Sequence, residues 1–322
     1  MKRILVIGIG LILVTLTIIC FLSKNNEEKN NNKVVVAEVT HSVFYAPWYV
    51  ALNNNYFDNL DVEVILTSGA NNVVAAVLAG DADIGLCGPE ATIYVYNNNK
   101  KDYVASFAGL TKRDGQFLVL RKDLKYDDIK DIEGLTILAG RSGGMPLLSF
   151  KNALKNENIK NVKIDTSVDF ANLSSAFIAG TGDGVNLFEP NASTLVKNGY
   201  GFIATSIGIH SGNVPYTAFN AKMSYINKNK DTIKKFYKGI EKGLKYVNTH
   251  SAEEIAEIIK TEFPDTKMED LIIMIDNYKK YDSWLTTPEI SESSFENLED
   301  IMIDNNELDK YVNYSDLVYE LD

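Results

Sequence analysis

Between Val39 and Val50 the chain reads VTHSVFYAPWYV, with imidazole, phenol, phenyl and indole rings packed into a dozen positions. His41, Ser42, Phe44, Tyr45 and Trp48 could hold a flat small molecule by stacking and hydrogen bonding, or the rings could simply fill a core. Two carboxylates stand where apolar runs break into loops, Glu90 in "CGPEAT" and Glu189 in "LFEPN". Each could cap a helix, or accept from a ligand that carries N–H donors or positive charge. Gly88 and Thr92 flank the first of them. A third candidate is "RSGGMP", where Arg141, Ser142, Gly143, Gly144 and Met145 precede a helical pattern. Glycines there free backbone N–H groups to face an anion or a carbonyl, or only make a tight strand-to-helix turn.

No reaction chemistry accompanies these candidates. His41, His210 and His250 lack metal-ligand spacing, and neither a nucleophile elbow nor H-E-x-x-H occurs. The glycine turn matches neither the P-loop nor the dinucleotide fingerprint, so no cofactor is expected. Cys87, in "IGLCGPE", reads as a small packed hydrophobe at a strand end rather than a reactive thiol. The formal charge of −11 disfavours nucleic acid as a partner. At 45% hydrophobic and 23% charged over 322 residues, the chain has the composition of a globular protein of two lobes.

The elements that must position these residues alternate. "KVVVAEV", "LDVEVIL", "ADIGLCG" and "YVASFAGL" read as strands, separated by helical patterns in "APWYVALNNNYF", "NNVVAAVLAGD" and "EATIYVYNNN". A second strand–turn–helix series follows Arg121, through "GLTILAG", "NVKIDTS" and "GVNLFEP". This order implies mostly parallel sheets flanked by helices, with ligands taken beyond the carboxyl ends of the strands. From about Asp231 the texture changes to long amphipathic helices, a helical C-terminal extension.

The N-terminus differs from all of this. Lys2 and Arg3 precede an uncharged run from Ile4 to Leu22, so residues 1–22 read as an export signal or a membrane anchor. Cys20 fits a lipidated cysteine, although Ile19 stands where a small residue is usual; an uncleaved single span is the other reading. Residues 23–33, "SKNNEEKNNNK", read as a flexible tether holding the remainder outside the cytoplasmic membrane.

In "HSVFYAPWYVALNNNYFDNLDVEVI", followed by "GDADIGLCGPEATIY", the sequence resembles the substrate-binding proteins of ABC importers. It is most similar to the branch containing aliphatic-sulfonate, taurine, nitrate and THI5-like pyrimidine-precursor binders. The similarity continues through "FLVLRKD", "DIKDIEGLTI", "FEP" and "VPYTAFNAKMSYI". The resemblance implies a periplasmic-binding-protein type II fold, with residues 34–118 and 219–322 in one lobe and 119–218 in the other. A two-stranded hinge is expected at "FLVLR" and "YTAFNA", with Tyr216 close to the cleft. It further implies a monomer that closes on a small ligand without turning it over, and delivers it to an ABC permease and its ATPase subunit. Pyrimidine-synthase and menaquinone-pathway enzymes share the fold, but the export signal favours binding, and no signalling module follows Asp322. Rings facing Glu90 and Glu189 suit a nitrogenous aromatic such as a thiamine-type pyrimidine. The alternative is a sulfonate, taurine or nitrate held by Arg141, Ser142 and the glycine turn; the two glutamates would then be free to face the permease.

Overall fold

The structure, a computed structural model, describes residues 32–98, 101–140 and 144–321. The expected leader with Cys20, nearly all of the tether, and the candidate residues Arg141, Ser142 and Gly143 lie outside the described residues.

The first sheet is built from β1 (Lys33–Glu38), β2 (Asp61–Leu66), β3 (Ile84–Cys87) and β4 (Val104–Thr111), joined by the late strand β10 (Thr217–Lys222). Its order is β2-β1-β3-β10-β4. β1 runs parallel to β2 and β3, with Val36 opposite both Val64 and Ile84, while β10 is antiparallel to its neighbours. The crossover helices are α1 (Ala46–Asn53), α2 (Ala70–Ala79) and α3 (Glu90–Asn98). β3 and β4 are buried along their whole length, which is why they read as continuous apolar runs. β2, at the edge, keeps its outer residues in solvent.

The second sheet contains β5 (Phe117–Arg121), β6 (Thr136–Leu138), β7 (Lys163–Asp165), β8 (Gly184–Leu187) and β9 (Gly201–Ser206), in the order β7-β6-β8-β5-β9. Helices α4 (Met145–Asn156), α5 (Leu173–Ile178), α6 (Asn191–Lys197) and the short α7 (Ile207–Ser211) accompany it. The chain passes between the sheets at 112–116 and again at 212–216. "FLVLR" and "YTAFNA" therefore supply the strands β5 and β10 that receive each crossing, and the crossings themselves precede them.

One device recurs in both halves. α2 ends at Gly80, whose φ of 87° is open to glycine at little cost, and three residues later the Asp83 carboxylate accepts the Val35 N–H at 2.9 Å. In the second half Gly180 and Asp183 stand at the same spacing, and Asp183 accepts the Thr136 N–H at 2.8 Å. The aspartate thus pins the start of the neighbouring parallel strand each time.

The C-terminal helices are α8 (Met223–Lys228), α9 (Lys230–Thr249), α10 (Ala252–Ile259), α11 (Met268–Lys280), α12 (Glu292–Asp304) and α13 (Tyr314–Leu317). α9 buries Ile233, Phe236, Ile240, Leu244 and Val247 at helical spacing against the first sheet. α11 and α12 reach the second half: Asp270 accepts Lys197 Nζ at 2.7 Å, and Asp304 pairs with Lys155. The extension therefore straps the two halves together and is more than a cap on one of them.

Candidate ligand site

The strand ends of the two sheets meet around Phe44. Ser42 caps a single 3-10 turn, Val43–Tyr45, by accepting the Phe44 N–H at 3.2 Å. That turn sets the Phe44 ring 5.7 Å from Phe188, 5.9 Å from Tyr216 and 5.1 Å from Tyr278, so it touches β8's loop, the return crossing and α11 at once. The Phe44 carbonyl is fixed by Trp284 Nε1 at 2.8 Å. Gly115, in the outgoing crossing, leaves the space the ring needs; a Cβ there would fall 2.5 Å from it.

Beside this ring cluster lies Glu90, the first residue of α3, folded back over Gly88 so closely that a Cβ on Gly88 would collide with the carboxylate. Its Oε2 is buried and has no hydrogen-bond partner. Burial raises its pKa to about 7. The phenols of Tyr45 and Tyr216 are within its electrostatic reach and are themselves pushed up, first by burial. Tyr216 also lies beside Asp114, whose pKa burial raises to about 8, partly offset by the Gln116 N–H at 2.7 Å. No lysine or arginine among the described residues acts on Glu90, Asp114 or Glu189. The basic residues nearest in sequence are already paired, Arg113 with Asn213 and Asp282, and Lys112 with Asp282. As the described residues form it, the site is thus aromatic and acidic, with its carboxyls held towards the neutral form.

Of the residues singled out from sequence, Ser42, Phe44, Tyr45, Gly88, Glu90 and Tyr216 come together here. Met145 is buried at the start of α4 after Gly144, in the same continuous core. Three expectations are corrected. Trp48 is not a wall of the cleft: three residues beyond Tyr45 it turns into the first lobe's core, 5.3 Å from Phe219, 5.5 Å from Phe57 and 5.7 Å from Phe236. Glu189 has no free carboxylate, because Ser193 N and Oγ and Asn277 Nδ2 occupy it at 2.9, 2.7 and 2.8 Å, the helix-capping role at α6. His41 bonds Glu38 and the Glu262 carbonyl, both at 2.9 Å, and faces a separate cavity of about 240 Å³ with Tyr49, Leu52 and Leu66. The Thr92 hydroxyl is likewise taken, donating to the Pro89 carbonyl at 2.8 Å. Cys87 is a buried residue of β3, as its sequence setting indicates.

Sequence reasoning missed Asp114, Ser149, Asn186 and Tyr278. Asp114 had a signal, a lone carboxylate in "RDGQF" immediately before an apolar strand, and Asn186 another, a polar residue inside "GVNLF".

Two five-stranded sheets with outer helices, joined by paired crossings and facing each other with their strand ends, define the fold of periplasmic substrate-binding proteins. Solved structures with this fold include the periplasmic aliphatic sulphonate binding protein SsuA from Escherichia coli. Its TM-score is 0.69 at 13% identity, over 89% of this chain and 97% of that one. The alkanesulfonate-binding protein SsuA from Xanthomonas axonopodis pv. citri, bound to MOPS, gives 0.68 at 11% identity, over 90% and 98%. The family model described as "NMT1/THI5 like" matches residues 43–254, and the chain belongs to that family. The candidate binding protein YtlA of Bacillus subtilis (strain 168) is 43% identical over 302 residues, covering 92% of this chain and 90% of that protein.

Proposed function

We propose that this protein is the extracytoplasmic solute-binding subunit of an ABC importer, held at the outer face of the cytoplasmic membrane. Its two lobes close on a small nitrogenous aromatic, of the thiamine-type pyrimidine class, and release it unchanged to the permease. The observation that carries the ligand class is Glu90: a buried carboxyl with an unpartnered oxygen, beside Tyr45, Tyr216 and Phe44, and with no lysine or arginine among the described residues acting on it. An aminopyrimidine offers a ring nitrogen beside an exocyclic amine. A protonated carboxyl donates to the ring nitrogen while accepting from the amine, and if that proton passes to the ring the carboxylate accepts from both, while the rings cover its faces. Among the described residues, a sulfonate or nitrate would meet carboxyls with no positive charge to receive it. Ser42, Phe44, Tyr45, Gly88, Glu90 and Tyr216 are the residues proposed to touch ligand.

Thermal-shift screening of the purified protein against aminopyrimidines, alkanesulfonates, taurine and nitrate tests this. Stabilisation by aminopyrimidines is expected; stabilisation only by sulfonates or nitrate would reject the ligand class. Chemical conversion of a bound compound would reject the binding role itself.

A further inference from the structure

A second set of buried polar atoms lies at the second sheet, reached through Tyr216 and Asp114. Asn186, in the interior of β8, is fully buried, and neither its amide oxygen nor its amide nitrogen has a partner. Gln116 Nε2 stands 3.3 Å from the backbone carbonyl oxygen of Asn186. Turned over, that amide gives up the contact and its nitrogen donates instead to the Asp114 carboxyl and the Pro146 carbonyl. Ser149, on α4, is fully buried too; its hydroxyl and that of Tyr216 stand close enough to Asp114 to favour its charged form, but off the geometry of a full hydrogen bond. Buried side-chain amides are almost always satisfied in folded proteins, because an unpaired one costs stability. Asn186 leaves all of its side-chain capacity unused, and Gln116 links its strand to Asp114 and the hydroxyls around it at the junction of the outgoing crossing, β8 and α4. An apolar residue of the same size would serve the fold better.

We propose that Asn186, supported by Asp114 and Ser149, is a specificity-determining contact that receives a neutral ligand group bearing both a donor and an acceptor, opposite the edge taken by Glu90. The inference rests on the reading of this cleft as the ligand site. It makes recognition two-sided: Glu90 belongs to the first lobe, Asn186 to the second, so a ligand with polar groups at both ends ties the lobes together. A primary alcohol on a pyrimidine is a group of the required kind, since its hydroxyl both donates and accepts. Sites that hydrogen-bond a substrate group discriminate strongly against analogues lacking it, because the protein's own polar atoms are then left unpaired.

The test uses the full chain with Asn186→Leu and Asn186→Asp, and 4-amino-5-hydroxymethyl-2-methylpyrimidine with its 5-methyl analogue as probes. Without ligand, Asn186→Leu should melt about 2 °C above the wild type, since an unpartnered amide has been removed. The wild type should prefer the hydroxymethyl probe at least about tenfold, and Asn186→Leu should bring that ratio close to one. Asn186→Asp should retain part of the preference. A ligand-free Asn186→Leu that melts below the wild type, or an unchanged ratio, would overturn the assignment. Failure of the aminopyrimidine reading shows elsewhere, in a wild type stabilised only by taurine or nitrate. Asn186→Leu must then still raise the ligand-free melting temperature, and a lower one rejects the assignment.

Discussion

Ser42 Oγ donates to the backbone carbonyl of Glu189 at 3.1 Å, joining the loop after the first strand of one sheet to the loop after β8 of the other. A short side chain thus spans the mouth between the lobes, and the same oxygen accepts the Phe44 N–H. Ser42→Ala should lose about 1 kcal/mol of closed-state stability, a weakening of ligand affinity of about fivefold. Calorimetric titration measures it, and unchanged affinity would show that the contact does not report closure.

Gly115→Ala should be more damaging. The added methyl would meet the Phe44 ring at 2.5 Å, and that ring is already packed by Phe188, Tyr216 and Tyr278. Overpacking of this kind costs about 1–3 kcal/mol, and it falls on the closed form, in which the ring is confined. Small-angle scattering with saturating ligand should show a larger radius of gyration than the wild type; an identical profile would contradict the placement of Phe44.

Trp48→Ala should separate stability from recognition. Its ring fills the space between Phe219, Phe57 and Phe236, so truncation should cost about 3–5 kcal/mol of folding stability. The fraction that remains folded should bind ligand with nearly wild-type affinity. A selective loss of binding with unchanged stability would return Trp48 to the cleft.

Glu90 and Asp114 give the ligand-free protein a particular pH dependence. Burial raises their pKa values to about 7 and about 8, so the folded state holds protons that the unfolded chain releases. Their contribution to stability is therefore complete below the unfolded carboxyl range, roughly pH 4, and is lost as pH rises through 7 and 8. Against a Glu90→Gln, Asp114→Asn double variant, the wild type should lose melting temperature steadily across that interval. A difference that stays constant or grows in its favour would contradict the burial of both carboxyls.

Much of this architecture is legible in the residue pattern. The apolar runs of β3 and β4, the Gly80–Asp83 turn and the amphipathic stripe of α9 each carry their structure in local spacing. Direction was harder to read. Phe44, Tyr45 and Trp48 have similar chemistry and lie within five positions, yet the 3-10 turn ahead of α1 sends the first two to the strand ends and the third into the core. Glu189 was ambiguous because its partner Asn277 arrives from α11, 88 residues away in sequence. Asn186 was hidden for the same reason: its significance is the absence of partners, which only the assembled sheet and helix reveal.

The central claim is that Glu90 selects a nitrogenous ring. Isothermal titration of the wild type and Glu90→Leu with 4-amino-5-hydroxymethyl-2-methylpyrimidine, and separately with taurine, tests it most directly. The wild type should bind the pyrimidine, Glu90→Leu should bind it at least about tenfold more weakly, and taurine should give no binding heat with either. Taurine binding to the wild type that survives Glu90→Leu, with no heat from the pyrimidine, would contradict it.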